Sequence, residues 1–252
     1  MESITPSLFT LLLLVAAAFV AGYIDTLVGG GGLITIPALM LAGVPPIFAL
    51  GTNKLQAVAG SGTAMLTMFR RGKVKFEDVR SLMGFAFTGS LVGAIAVQYI
   101  DATVLDFVIP SVIIFIAIYF LCAPTHSLVE GPAKLSAKTY GVTAVPGVGF
   151  YDGMFGPGTG SFFVWIGVSL RGQPIVYSTM AAKSLNFASN VAALLMFSFY
   201  AKVLWKVGIV MMAGQALGAW FGAHSLMTIN PSSLRYLVIA MCFIILLTWV
   251  SQ

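Results

Sequence analysis

The sequence predicts an all-α, polytopic membrane protein, and its composition is the first reason. Of the 252 residues, 59% are hydrophobic and only 8% are charged, whereas soluble domains carry about 25% charged residues. A soluble fold of this size could not hide so much apolar surface, because a large share of any compact protein faces solvent. The composition therefore excludes soluble enzymes, nucleic-acid-binding domains and disordered chains, and it predicts membrane lipid as the surrounding medium.

Apolar segments of near-membrane length recur along the whole chain and are the second reason. A membrane-spanning helix needs about 20 residues, and most of the ten segments approach that length. The second and the sixth are shorter and lie beside glycine clusters, which is typical of broken or re-entrant helices in transporters, so we predict about 8 to 10 membrane segments. The ten segments are 7–24, 29–43, 49–70, 79–99, 103–123, 137–151, 155–170, 174–200, 204–225 and 231–251.

An internal repeat is the third reason, because the two halves of the chain match at a nearly constant offset. The offset is 129 residues from Lys54 onwards and 127 residues before it. We therefore predict a first transmembrane repeat at 1–123, a linker loop at 124–136 and a second repeat at 137–252. The matched features are Asp25 with Asp152, Lys54 with Lys183, the glycines at 29–31 with those at 156–158, and the Gly-x-x-x-Gly pairs at 89–93 and 218–222.

The basic residues indicate how the two repeats are oriented. Lys and Arg concentrate in cytoplasmic loops, and the loop at 70–80 holds five of them. If the glycine hairpins at 137–170 enter and leave on one side of the membrane, nine basic residues lie on the cytoplasmic side and two, Lys202 and Lys206, lie opposite. The loop at 70–80 and its repeat partner at 200–206 then face opposite sides, which predicts inverted repeats with both termini outside the cytoplasm.

Four charged residues within the apolar segments are the strongest candidates for function: Asp25, Lys54, Asp152 and Lys183. A Lys or Asp at the bilayer centre costs on the order of 2.5–3.5 kcal/mol, and the repeat relation predicts one pseudo-symmetric site near the midplane. The alternative is purely structural, with Asp–Lys ion pairs that fix broken helices and aspartates that cap helix ends beside the glycines. A coupling proton on one of the aspartates is a further hypothesis.

Amide side chains lie beside both lysines. At 100° per residue, Asn186 and Asn190 share a helix face with the lysine of the second repeat, while Asn53 and Gln56 line the face that adjoins the lysine of the first. Ammonium and amide N–H groups are hydrogen-bond donors, so they suit an oxyanion. The alternative is that the asparagines only join helices, as polar residues commonly do in membrane bundles.

Glycine clusters begin four residues after both aspartates, and their backbone N–H groups are candidate ligands. Glycine lets the backbone approach a ligand closely, and a following helix start adds its positive dipole end. The candidates are Gly30 and Gly31 in the first repeat and Gly158 and Thr159 in the second. Close helix packing is the alternative for these glycines, and it is our interpretation of the Gly-x-x-x-Gly pairs.

Motifs for other chemistry are missing from the sequence. The two cysteines and the two histidines lie far apart, and no HExxH, GxSxG or GxxxxGK[ST] motif occurs. We therefore predict no catalytic residues, no metal, no cofactor, no nucleic-acid partner and no enzymatic activity. A cation or metal-ion permease that uses Asp25 and Asp152 is the alternative function, although it predicts more acidic or thiolate ligands than these segments contain.

Motifs in both halves carry a family resemblance. They are GYIDTLVGGGGL at 22–33, IPAL at 36–39, ALGTNKLQ at 49–56, RRGKV at 70–74, GFYDGMFGPGTG at 149–160 and KSLNFASN at 183–190. Over nearly its whole length the chain resembles the TauE/SafE family of sulfite exporter-like permeases. The resemblance implies a multi-pass transporter of the prokaryotic inner membrane for a small sulfur-containing anion, such as sulfite or an organosulfonate. A homodimer is compatible with such a transporter.

These expectations combine into one mechanism. Lys54 and Lys183 balance the charge of the anion, and the amides and glycine N–H groups bind its oxygens. Asp25 and Asp152 hold the broken helices. The two repeats rock about the site, which gives alternating access.

Overall fold

The computed structural model describes residues 6–72, 74–122 and 131–225, and over these residues every regular element is a helix. Two of the helices, Leu8–Val28 and the run Phe76–Tyr99, are long and apolar enough to cross a membrane. The described helices are α1 (Leu8–Val28), α2 (Gly32–Leu41), α3 (Pro46–Arg70), α4 (Phe76–Ala96, extended by a 3-10 turn at Val97–Tyr99), α5 (Ala102–Cys122), α6 (Ala137–Thr139, followed by a π turn at Tyr140–Ala144), α7 (Val145–Met154), α8 (Thr159–Arg171), α9 (Ile175–Phe199) and α10 (Trp205–Ser225).

Helix boundaries follow from local chemistry. The side chain of Ser7 accepts a hydrogen bond from the Thr10 N–H (3.1 Å) and starts α1, which ends at Gly29 in the left-handed conformation. The helices α3 and α9 both start after a proline N-cap, Pro45 and Pro174, and both have 25 residues. The first nine predicted segments coincide with these helices, and the tenth, 231–251, lies outside the described residues.

The prediction of which segments are short is wrong for the second half. The sixth segment continues as helix from 137 to 154, and the short helix is α8, with 13 residues against 10 in α2. Pro146 has no N–H to donate to the preceding turn, and the helix before it widens into the π turn at Tyr140–Ala144 instead of ending. The partner of α2 in the second half is therefore α8.

The two halves interlock by exchanging helices. Helix α1 packs mainly on α10, α7 packs mainly on α4, and α3 and α9 pack on each other at the centre. Close approach requires glycine at equivalent places: a side chain on Gly22 would meet the main chain of Gln215, and one on Gly149 would meet that of Ala86. Both Gly-x-x-x-Gly pairs also pack directly against a neighbouring backbone, as our interpretation of them predicts. The centre of the molecule is thus built from both halves.

The outer surface is apolar and the polar residues lie inside. Phe107, Phe115 and Leu217 are 75%, 68% and 57% exposed, while Lys54 and Lys183 are each 1% exposed. A water-soluble protein shows the opposite distribution, because its charged side chains are almost never fully buried. The surface therefore suits lipid, and the buried charges mark a candidate functional site.

Candidate functional site

A cavity lies at the centre, where the two halves meet. It holds about 310 Å³ of empty space, counting its open mouth. Its wall comes from the glycine turns after α1 and α7 and from the helices α3, α9 and α10, so neither half forms it alone. The lining residues are Asp25, Gly31, Gly32, Asn53 and Ala57 from the first half, and Asp152, Gly156, Gly160, Asn186, Asn190 and Gln215 from the second.

The first of two ion pairs beside the cavity joins Lys54 to Asp152. The distance between Lys54 Nζ and Asp152 Oδ1 is 2.9 Å, and the same ammonium donates to the main-chain carbonyl of Asp152. Both side chains are almost fully buried, at 1% and 2% exposure. The second carboxylate oxygen of Asp152, Oδ2, is buried and has no hydrogen-bond partner among the described residues.

The second ion pair joins Lys183 to Asp25 and is more open. Lys183 Nζ lies 3.8 Å from Asp25 Oδ2, and it donates to the main-chain carbonyl of Asp25. The Asp25 side chain is 14% exposed and lines the cavity. Its other oxygen, Oδ1, accepts a hydrogen bond from the Gly31 N–H (3.1 Å), at the start of α2.

Each pair therefore takes its lysine from one half and its aspartate from the other. The ammonium groups lie near the C-terminal ends of α1 and α7, where the negative end of the helix dipole favours a positive charge. The two ammonium and two carboxylate groups sum to zero net charge. This balance explains how four charges can be buried together, because an unpaired buried charge is far more costly than a paired one.

Hydrogen bonds orient two cavity amides as donors. Asn53 Oδ1 accepts from the hydroxyl of Thr35 (2.6 Å), which leaves its N–H2 group to face the cavity beside Gly32. Asn186 Oδ1 accepts from the side-chain amide of Asn190 (3.0 Å), which leaves the N–H2 group of Asn186 as a donor. An amide fixed in this way presents N–H groups to a ligand that has oxygens.

Two helices begin at the cavity. Gly31 and Gly32 start α2, and Gly160 lies in the first turn of α8. The first N–H groups of a helix have no partner in their own helix, and the dipole gives that end a positive potential. The glycine turns also touch each other, since a side chain on Gly29 would overlap the backbone of Gly160. Both positive helix ends thus meet at one place, which suits an anion.

The structure brings together half of the predicted site residues at the cavity wall, and the other half do not line it. Lys54 and Lys183 lie behind their aspartates, and Gln56 is buried, with neither amide atom hydrogen-bonded among the described residues. The remaining outer residues are Gly30, Gly158 and Thr159, which lie in or next to the glycine turns. The predicted residues that line the cavity are Asp25, Gly31, Asn53, Asp152, Asn186 and Asn190.

Sequence reasoning missed Gln215 and Ala57. Gln215 comes from α10, and a side chain on Gly60 would collide with it, so the glycine makes room for the amide. A lone glutamine in an otherwise apolar segment was the available signal, but its counterpart in the first repeat is Ala86, so the repeat does not highlight it. Ala57 carries no polar group, although it is the counterpart of Asn186.

The fold and the site together indicate the class of protein to which the chain belongs. An apolar exterior around a central, charge-balanced cavity is expected of a helical membrane protein that handles a polar ligand within the bilayer. The comparison with protein families agrees with this class. The chain matches the family described as "Sulfite exporter TauE/SafE" over residues 14–248, and it belongs to that family of membrane transporters.

Three relatives with similar lengths support the assignment. A "Probable membrane transporter protein ORF9" from Sinorhizobium sp. is 42% identical, over 90% of this chain and 87% of its own. A "Probable membrane transporter protein" from Haemophilus influenzae is also 42% identical, over 92% and 91%. "Probable membrane transporter protein YfcA" from Escherichia coli K12 is 40% identical, over 94% and 87%. No solved structure matches the chain.

Proposed function

We propose that this protein is a permease for a small anion, namely a sulfur oxyanion such as sulfite or an organosulfonate. It works by alternating access as a multi-pass protein of the prokaryotic inner membrane. Membership of the TauE/SafE family and the names of the relatives support a transporter. The substrate class rests on the family description and on the chemistry of the cavity.

The single observation that carries the proposal is the convergence of donors on a charge-balanced cavity. The N–H2 groups of Asn53 and Asn186 and the N-terminal ends of α2 and α8 all meet there. A sulfur oxyanion offers several acceptor oxygens close together, which is the complement of such a set. The two ammonium groups neutralise the two aspartates, so the carboxylates do not give the cavity a net negative charge that would repel an anion.

The same arrangement disfavours a cation as the substrate. Each cavity aspartate is matched by an ammonium group, and two helix N-termini add positive potential. Among the described residues there is no group of three or more His, Cys, Asp or Glu side chains that could hold a metal ion. A cation would therefore have to displace a lysine without gaining a set of ligands.

Alternating access is supported by the exchanged packing of the halves. Helices α1, α3 and α10 pack together, as do α4, α7 and α9, and the two groups meet where α3 packs on α9. A rocking motion of one group against the other would keep α3 and α9 in contact. The basic loops support an inverted relation between the repeats. Single cysteines at Lys75 and at Lys202 should therefore label from opposite sides of the membrane, and labelling of both from one side would contradict the inverted arrangement.

The binding experiment tests the substrate class. Calorimetry on the purified protein should detect sulfite or methanesulfonate, and Lys183→Met should weaken the affinity at least tenfold, about 1.4 kcal/mol. Methionine keeps much of the length and apolar stem of lysine and removes only the charge. Lys206→Met, at the start of α10 and away from the cavity, is the matched control and should bind normally. An unchanged affinity in Lys183→Met would place the anion elsewhere.

A further inference from the structure

We infer that each monovalent anion binds together with one proton, that Asp25 accepts this proton, and that the two are carried together without net movement of charge. The inference rests on the proposed function and deepens it, since it names the coupling ion and the group that holds it.

The cavity has no spare positive charge for an anion. Its two lysines are matched by two aspartates, and the lining residues named above include no other charged group. An added monovalent anion would leave one uncompensated negative charge inside the protein, which is strongly unfavourable. One proton taken up with the anion restores neutrality, and one carboxylate is the group that can accept it.

Asp25 is better placed than Asp152 to take the proton. Its Oδ2 lies 3.8 Å from the ammonium group, against 2.9 Å in the other pair, and its side chain is 14% exposed, against 2%. The Oδ1 atom is held by the Gly31 N–H, and this bond survives when the proton binds to Oδ2. The carboxyl group can therefore become neutral without leaving its place.

The step balances in charge and in hydrogen bonds. A proton from the cavity binds to Asp25 Oδ2, while Lys183 remains an ammonium ion and keeps its bond to the Asp25 carbonyl. The new O–H group of Asp25 can then donate a hydrogen bond to an oxygen of the anion, beside the N–H2 group of Asn186. The net charge of this pair is zero before the step, from the Lys183 ammonium and the Asp25 carboxylate. It is also zero after the step, from the same ammonium and the bound anion, because Asp25 is then neutral.

The other titratable groups near α1 do not replace Asp25 in this role. Within the described part of the chain, five helices pack against α1. Their charged groups at the site are Lys183 on α9, which pairs with Asp25, and Lys54 on α3, which is held by Asp152. Helix α2 has no titratable residue. The titratable groups at helix ends, none of which lines the cavity, are Arg70 on α3, Arg171 on α8, Tyr177 on α9, and Lys206 and His224 on α10.

Proton uptake during binding is the direct test. Methanesulfonate is the probe, because it stays a monovalent anion at every working pH. Calorimetric titrations in buffers of different ionisation enthalpy should show about one proton taken up for each anion bound by the unaltered protein. Asp25→Asn should bind the anion with no proton uptake. Asp78→Asn, which removes an exposed carboxylate at the start of α4, should retain full uptake.

Flux in vesicles provides a second readout that needs no variant. In reconstituted vesicles, an imposed pH gradient should drive methanesulfonate uptake, while a membrane potential set by valinomycin and potassium should leave the initial rate unchanged. A rate that follows the potential would overturn the inference.

The outcomes separate the inference from the proposed function. Anion binding without proton uptake overturns the inference and leaves the anion permease standing. Uptake that persists in Asp25→Asn and is lost in Asp152→Asn overturns the assignment to Asp25. If neither sulfite nor methanesulfonate binds to the unaltered protein, the proposed function and the inference both fail.

Discussion

The two Lys–Asp pairs are equivalent by sequence and different in structure. Lys54 and Asp152 form a closed pair at 2.9 Å that is almost completely buried, whereas Lys183 and Asp25 lie 3.8 Å apart beside the cavity. The same residue types at matching positions of two repeats therefore have different surroundings. A Lys–Asp motif that is duplicated in the sequence therefore need not have the same role in both repeats.

The physical origin of the difference lies in the glycine turns. In the first half, the Asp25 carboxylate interacts with two groups: the Gly31 N–H donates to Oδ1, and the Lys183 ammonium lies near Oδ2. In the second half Asp152 Oδ2 has no hydrogen-bond partner among the described residues, so its pairing rests on Lys54. We therefore propose that the closed pair holds the break between α7 and α8, and that the open pair exchanges partners with a ligand.

The largest expected effect comes from breaking the closed pair. Lys54→Met leaves a buried carboxylate without its cation, which costs about 3–5 kcal/mol of folding stability. Lys183→Met should cost less, about 1–3 kcal/mol, because Asp25 keeps its bond from Gly31 and reaches the cavity. Thermal unfolding of the detergent-purified variants measures which of the two substitutions lowers the folding stability more.

A double variant provides the control for this comparison. Lys54→Met combined with Asp152→Asn removes both charges, so most of the lost stability should return. Equal losses in the two single lysine variants would mean that both pairs are structural, and the distinction between a closed and an open pair would be wrong.

Much of the fold could be predicted from the sequence because its signals are local. Apolar segments of about 20 residues mark helices in any membrane protein, and the first nine predicted segments coincide with them. The π turn before Pro146 was not predicted, because a proline within an apolar segment is as compatible with the end of a helix as with a widened helical turn. Only the packing of neighbouring helices decides between the two.

The four charged residues of the candidate site were predictable from the sequence, but their pairing was not. Buried charges are costly in a membrane, so the four charged residues stand out in the sequence. Which lysine meets which aspartate depends on how the halves interlock, and the exchange of helices pairs Lys54 with Asp152 rather than with Asp25. Gln215 depends on the same long-range packing, because it enters the cavity wall on α10, a helix of the second half that packs on α1 and α3 of the first.

The next largest effect tests whether the anion binds on the side of the open pair. Asn190 holds the oxygen of Asn186 (3.0 Å) and so directs the Asn186 amide as a donor beside Lys183. Asn190→Ala removes this bond and lets the Asn186 amide rotate, which should weaken methanesulfonate binding by about 1 kcal/mol, or about fivefold. Calorimetry measures the change, and Lys206→Met is again the reference.

The smallest effect is expected from the corresponding change on the side of the closed pair. Thr35 orients Asn53, next to Lys54, through a 2.6 Å hydrogen bond. Thr35→Val keeps the shape of the side chain and removes the hydroxyl group, together with its bonds to Asn53 and to the Gly31 carbonyl. If the anion binds mainly at the open pair, affinity should fall by less than about 1 kcal/mol, which is less than for Asn190→Ala. Thr67→Val removes a half-buried hydroxyl that donates to the Thr63 carbonyl of its own helix, and it corrects for the general effect of removing a threonine hydroxyl. A larger loss from Thr35→Val than from Asn190→Ala would reverse the comparison and place the anion beside Lys54.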